Sequence, residues 1–173
     1  EGRGLPFCPT GRDELDICDP DMIARAMERH RPWAVINAAG FVPVADAENE
    51  REACLAANAA GPQKLAQACA DAGLRLVTFS SDLVFDGKLG RAYTETDPVA
   101  PANVYGLSKA EAEQHVLGIA EQALVIRTSA FFGPWDKYNF AWHTLSALAR
   151  GEPVQASRNV AVSPTYVPDL CHA

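Results

Sequence analysis

The chain has 173 residues, 48% of them hydrophobic and 21% charged, with 15 Lys and Arg against 22 Asp and Glu for a net charge of −7. That is the composition of one soluble globular domain with enough apolar material for a real core. With no run of Lys and Arg to offset the acidity, neither nucleic acid nor an anionic membrane is the expected partner. No uninterrupted apolar run is long enough to cross a bilayer, and the opening EGRG has neither the basic start nor the apolar centre of a signal peptide. The five cysteines (Cys8, Cys18, Cys54, Cys69, Cys171) are odd in number and contain no CxxC. Three lie in apolar segments, so they read as buried thiols of a reducing, cytoplasmic compartment.

In chain order, Leu5–Cys8 is a short strand-like run with nothing before it, and the chain opens on Glu1 rather than Met, so the expectation is a start in the middle of a fold. Asp19-Pro20 supplies an N-cap and a first-position proline for a helix to about His30, with Met22, Ile23, Ala26 and Met27 on one face. After Pro32, Trp33–Ile36 is continuously apolar, as a strand buried on both sides reads. A small-residue turn, Ala38-Ala39-Gly40, follows. From Asp46 to Ala72 the composition predicts one bent helix or two in succession, broken near Gly61-Pro62 and ended by Gly73. Leu74–Phe79 reads as a strand, Tyr105–Ala120 as a helix and Ala123–Arg127 as a strand. A helix from about Asn139 to Arg150, a stop at Gly151 and a short strand near Val154 complete the pattern.

Strands alternating with helices predict an α/β fold, a doubly wound, mostly parallel sheet with helices on both faces. Ligands of such sheets bind at the carboxyl ends of the strands. The residues there are small and polar: Asn37–Gly40, Ser80-Ser81-Asp82 and Thr128-Ser129. Tyr105 and Lys109 are four apart in a helix whose start is marked by Pro101 and Asn103, so their Cβ atoms are about 5 to 6 Å apart on one face. At about 5 Å and an effective dielectric of about 20, the Lys109 cation favours the Tyr105 phenolate by on the order of 3 kcal/mol, or about 2 pKa units. The expectation is a Tyr105 poised for general acid catalysis, with Ser81 holding a carbonyl oxygen by a hydrogen bond. Reducing that carbonyl needs a hydride, which no side chain carries, so a nicotinamide cofactor is implied.

With these residues in hand, YGLSK together with Ser81, Tyr105 and Lys109 resembles the extended short-chain dehydrogenase/reductases. More narrowly, SSDLVFDG, then Tyr93, Glu95, Asp97-Pro98 and NVYGLSKAEAE, is similar to the dTDP-4-dehydrorhamnose reductase family. The blocks ELDICDP, INAAG, DAENE, AANAAGPQKLA, IRTSAFFG, Asn139-Phe140 and SPTYVPDL carry the resemblance along nearly the whole chain. It implies a single Rossmann-like domain fragment over residues 1–173, with residues from about 129 contributing to a substrate-binding part. Tyr105 would be the general acid, Lys109 would bind the nicotinamide ribose and lower the pKa of Tyr105, and Ser81 would polarise the ketone of a nucleotide-linked 4-keto sugar. Asp82, Val84 and Asn139 would join Ser81 and Tyr105 around that sugar. The cofactor, NADPH or NADH, would meet Asp16 and Ile17 at its adenine, Ala38, Ala39 and Gly40 beneath it, Asn58 and Ser80 along it and Thr128 near the nicotinamide. Arg12 follows the strand at which such folds choose between cofactors and would pair with a 2′-phosphate. A homodimer is a further possible assembly.

The family's first strand, glycine-rich phosphate loop and next helix are expected before Glu1, since Gly2 and Gly4 follow no strand and do not replace them. The family also continues past Ala173, so the fold is expected to be incomplete at both ends. Ser81 stands where the family usually has Thr, Leu83 where Tyr is usual, Ala45 where Asp is common and Ala130 where Trp is common. His30, His115, His143 and His172 lack ligand spacing, so no metal is expected. Trp135 and Trp142 read as packing or pocket wall. The alternative function is a non-catalytic nucleotide-binding or regulatory domain, because a close branch of the family includes the regulatory beta subunit of methionine adenosyltransferase.

Overall fold

The computed structural model describes residues 4–173, so the expectation touching Gly2 lies outside the described residues. The chain forms two compact units, Glu1–Ile126 and Arg127–Ala173.

In the first unit, helix α1 (Pro20–His30) starts where its cap predicts. The Asp19 carboxylate accepts from the backbone N–H of Asp21 at 2.8 Å and of Met22 at 3.2 Å, and Pro20 sets the first helical φ. The helix ends at Arg31, whose N–H makes the last bond back to the Met27 carbonyl and whose left-handed φ of 44° then turns the chain out of the helix. Strand β1 (Ala34–Asn37) pairs in parallel with β2 (Arg75–Ser81), Ile36 opposite Val77 and Asn37 opposite Thr78. Strand β3 (Ala123–Thr128) lies on the other side of β2.

The segment expected to be a bent helix is a short 3₁₀ turn (Asp46–Glu48) followed by a continuous helical run: α2 (Arg51–Leu55), a π turn (Ala56–Ala60) and α3 (Gly61–Asp71). Pro62 explains the π turn. It has no N–H to give the Asn58 carbonyl, and the ladder slips by one residue, so that the Gly61 N–H bonds to the Ala56 carbonyl five residues back. Gly61 also leaves room for Ile17, because a Cβ there would sit 2.8 Å from the Ile17 side chain. Gly73, at φ 64°, turns the chain out of α3 and Leu74 N–H closes on the Cys69 carbonyl at 2.8 Å.

The core lies between the sheet and α3 with α4 (Val104–Ile119). Ala66 and Cys69 of α3 and Val116 of α4 meet Leu76 of β2, with Val35, Ala123 and Val125 packed beside them. Alternation along the strands turns the neighbouring residues to the other face, where Ile36 is 69% and Leu124 55% exposed. The strand expected to be buried on both sides is therefore covered on one, and it begins at Ala34, leaving Trp33 exposed.

The expected strand at Leu5–Cys8 is absent, and Leu5 and Phe7 are exposed. An apolar run becomes a strand only when a neighbour accepts its hydrogen-bond ladder, and no described strand lies alongside. The expected strand near Val154 is absent for the same reason. Of the cysteines, Cys54 and Cys69 are buried, but Cys8 and Cys171 are exposed and Cys18 is half-buried, which corrects the reading of buried thiols. Burial pushes the Cys69 thiol up to about 11.

The second unit pairs β4 (Phe131–Phe132) in parallel with β5 (Thr165–Tyr166), a pairing that composition did not signal, with the Phe132 and Tyr166 rings 5.2 Å apart. Helix α5 (Phe140–Ala149) stops before Gly151, at φ 70°, and α6 (Val167–His172) follows β5 directly. Among the described residues no helix is long and apolar enough to cross a membrane.

Leu76 is 1% exposed at the centre of the core. Leu76→Ala should lower unfolding stability by about 2 to 5 kcal/mol. Urea denaturation should give an earlier midpoint at unchanged slope, and an unmoved midpoint would place Leu76 outside the core.

Candidate active site

The first turn of α4 is built with its orphan donors satisfied. Asn103 caps it, its side-chain oxygen accepting from Gly106 N–H at 2.7 Å, and the Glu48 carboxylate accepts from Val104 N–H at 2.9 Å. Tyr105 and Lys109 leave this helix on one face, and the Lys109 ammonium lies 5.7 Å from the centre of the Tyr105 ring. The same ammonium donates to the Phe79 carbonyl of β2 at 3.2 Å. Between the two, Gly106 faces the loop after β2 at a spacing that admits no side chain: a Cβ there would overlap the Leu83 carbonyl.

Ser81 is buried at the end of β2 and caps a 3₁₀ turn, Asp82–Val84. Its hydroxyl donates to Asp82 Oδ1 at 3.1 Å and accepts from Leu83 N–H at 3.2 Å. Val84 has no exposed surface, so its side chain belongs to the core, and its carbonyl accepts from Ala100 N–H at 2.9 Å. The polar loop beyond is pinned at several points. Tyr93 stacks on Phe85 with ring centres 4.1 Å apart and donates to Asp86 at 2.8 Å, while Arg91 grips Asp97 with two bonds of 2.8 and 2.7 Å. That guanidinium, aided by the Thr94 N–H, holds the Asp97 carboxyl well below the usual carboxylate range.

At the end of β1, the Asn37 side chain donates to Thr78 Oγ1 at 3.2 Å and accepts from Ala39 N–H at 3.1 Å, turning the chain into exposed Ala38, Ala39 and Gly40. A Cβ on Gly40 would lie 3.6 Å from the Lys109 ammonium and 2.7 Å from Asn58 Oδ1. Gly40, Lys109 and Tyr105 are thus brought to one place. Asn58, on the π turn and 1% exposed, turns its side chain to protein alone: it accepts from Phe41 N–H at 2.8 Å and donates to the Phe41 carbonyl at 3.1 Å and to Ser108 Oγ at 3.2 Å.

The electrostatics correct one expectation. Burial, then the Cys54 and Asp82 groups, push the Tyr105 phenol above its ordinary value instead of below it. Lys109 is itself held down by burial, with Cys54 acting the other way, and it sits over the ring face bonded to a carbonyl. Desolvation of both groups outweighs the attraction estimated from their spacing.

Arg12, 84% exposed, pairs with Asp16 at 3.1 Å. Asp16 also accepts from Cys18 N–H at 2.8 Å, and that bond, followed by Arg12, lowers its pKa. Ile17 is buried against α3 and Leu65, and Ser80 is buried in β2. In the second unit, Thr128 is buried at the end of β3. Asn139 caps α5, accepting from Trp142 N–H at 2.8 Å and donating to the Asp136 carbonyl at 2.6 Å. Trp135 and Trp142 are exposed. Among the described residues, no group of three or more His, Cys, Asp or Glu side chains is placed to hold a metal.

Sequence reasoning missed Gly106, Glu48, Cys54 and Ser108. Two of them left a trace: Cys54 and Asn58 are four apart on a helix and share a face, and Ser108 lies three residues after Tyr105.

A family model described as the RmlD substrate binding domain matches residues 1–173. The chain is 40% identical over 178 residues to a dTDP-4-dehydrorhamnose reductase of Mycobacterium tuberculosis, covering 100% of this chain and 57% of the relative. It is 35% identical over 169 residues to one of Streptomyces griseus, covering 97% and 55%. It is similar to the solved structure of a dTDP-4-dehydrorhamnose reductase from Bacillus anthracis in complex with NADP, with TM-score 0.85 and 31% identity over 98% of this chain and 60% of that one. The chain spans a little over half the length of the curated relatives it matches.

Gly106→Ala should cost about 1 to 3 kcal/mol of stability in spite of alanine's higher helix propensity, because the Leu83 carbonyl must move. Chemical denaturation reads this, and equal or greater stability would mean that the close approach does not exist. For the phenol, the phenolate absorbance lost in Tyr105→Phe should titrate above free tyrosine in the unliganded protein. A midpoint below free tyrosine would restore the depression that the spacing suggested.

Proposed function

The chain belongs to the family described as the RmlD substrate binding domain, and on that premise we propose that the protein is an NAD(P)H-dependent reductase of the 4-keto group of a nucleotide-linked deoxysugar. dTDP-4-keto-6-deoxy-L-mannose is the first candidate substrate, the reaction yielding dTDP-L-rhamnose. The observation that carries this reading is Lys109 over the Tyr105 ring at 5.7 Å, beside the bare backbone of Gly40.

The residues fit a nicotinamide cofactor. Gly40 has no side chain to fill the space next to the Lys109 ammonium, and Ala38 and Ala39 are small and exposed on the same turn. Lys109 has three donors, of which the Phe79 carbonyl takes one, leaving others for ribose hydroxyls. Arg12, exposed beyond its bond to Asp16, has donors left for a 2′-phosphate. When bound, NADPH or NADH supplies the hydride to the ketone carbon.

This chain's own residues handle the oxygen and the proton. The Ser81 hydroxyl, which donates to Asp82 Oδ1 in the unliganded chain, turns its proton to the ketone oxygen and orients it. Tyr105 gives its phenolic proton to that oxygen, so that C=O becomes CH–OH. A phenol held above its ordinary pKa keeps that proton at neutral pH, the state a general acid needs before the step.

With the full-length protein and dTDP-4-keto-6-deoxy-L-mannose, NADPH or NADH oxidation should be seen, and Tyr105→Phe should lower kcat by about 10² to 10⁴-fold. Turnover that survives Tyr105→Phe undiminished would remove the catalytic assignment. NADPH binding without any turnover would favour the non-catalytic nucleotide-binding reading.

A further inference from the structure

Behind the catalytic face of α4 lies a buried polar cluster that the proposed reaction does not use. Ser108 and Cys54 are both 0% exposed, and Cys54 packs with Ala47, Val104, Phe41 and Tyr105. Ser108 Oγ donates to the carbonyl of Tyr105 at 2.6 Å and accepts from Asn58 Nδ2 at 3.2 Å, and the Cys54 thiol lies on it at 3.4 Å. Asn58 in turn holds both the N–H and the carbonyl of Phe41, the residue after Gly40. A single chain of hydrogen bonds therefore runs from the backbone of Tyr105 to the loop beside Lys109. Its members sit on three separate stretches: α4, the α2–π run and the turn after β1.

We propose that Ser108, seated on Cys54 and Asn58, is a positioning residue for proton transfer by Tyr105. The assignment rests on the reductase reading above. Ser108 lies between Tyr105 and Lys109 in the helix, and its hydroxyl is the link by which their turn is held at a fixed height and rotation against Gly40. Buried polar groups in such a cluster are all satisfied or all at risk. Removing the hydroxyl takes away the acceptor shared by the Cys54 thiol and Asn58 Nδ2, leaving these two, apart from the Asn58 bond to Phe41, only their longer mutual contact of 3.7 Å, and the turn shifts to accommodate them. A displacement of about 1 Å at a reacting group lowers rate by about 10²-fold.

The test uses full-length protein with NADPH and dTDP-4-keto-6-deoxy-L-mannose, assayed well below each variant's unfolding midpoint, with wild type and Tyr105→Phe alongside. Ser108→Ala should lower kcat about 10- to 100-fold with both KM values within about twofold of wild type. Its solvent deuterium isotope effect on kcat should rise, because proton transfer becomes more nearly rate-limiting. Ser108→Cys, which keeps a weaker donor and acceptor, should recover part of the loss. Cys54→Ala leaves the Ser108–Tyr105 bond in place and should give a smaller loss in the same direction; it also serves if Ser108→Ala does not fold. An unchanged kcat and isotope effect in these variants, beside an impaired Tyr105→Phe, overturns the positioning role alone. No turnover in wild type, or none lost in Tyr105→Phe, overturns the reductase reading and this role with it.

Discussion

The arrangement depends on how closely one helix can approach one loop. The first turn of α4 rests on the carbonyl of Leu83, directly after Ser81 and Asp82, and only a residue without a Cβ fits between them. Any larger residue at position 106 would push the helix away from the end of β2. Tyr105 and Lys109 would move with it, because they flank that glycine on the same helix. The contact works in both directions: the 3₁₀ turn that presents the Leu83 carbonyl is itself capped by the Ser81 hydroxyl. The group assigned to orient the ketone thus also builds the platform on which the acid's helix stands.

The second support comes from an irregularity. Pro62 cannot continue an ordinary ladder, and the π turn that accommodates it rotates Asn58 relative to a regular helix. In that position Asn58 reaches Phe41 on one side and Ser108 on the other. A break that composition marks only as a kink is, in the folded chain, where three segments are fastened together. Gly61, directly before Pro62, admits Ile17, so the same short stretch also anchors the loop that carries Arg12 and Asp16.

Electrostatics here follow burial more than proximity. A cation about 5 Å from a phenol is worth on the order of 3 kcal/mol at an effective dielectric of about 20. That figure assumes a well-solvated charge acting on the phenol oxygen. Lys109 is instead desolvated, lies over the ring face and has its ammonium bonded to a carbonyl, while Asp82 and Cys54 act on Tyr105 in the opposite sense. The phenol of the unliganded chain is accordingly a proton holder. Pairing of residues by helical spacing identified the right neighbours, while burial set the net direction of the Tyr105 shift.

What the amino-acid order determined by itself is local and periodic. The Asp19-Pro20 start of α1, the Asn103 cap of α4, the common face of Tyr105 and Lys109, the glycine stops at 73 and 151 and the presence of β2 and β3, though not the two serines by which β2 outruns its expected end, each depend on a few neighbouring residues. So does the run of motifs that carries the family resemblance. Tertiary structure decided what depends on partners distant in sequence. Leu5–Cys8 and the stretch near Val154 have strand composition but, among the described residues, no strand beside them, whereas Thr165-Tyr166 forms one because Phe131-Phe132 lies alongside. Ile36 is exposed and Ile17 and Val84 are buried for the same reason, since the cover over a side chain comes from elsewhere in the chain. The Cys54, Asn58 and Ser108 cluster joins residues up to 54 positions apart. Hydrogen bonds of that kind, and the burial that sets the Tyr105 pKa, exist only after the chain has closed on itself.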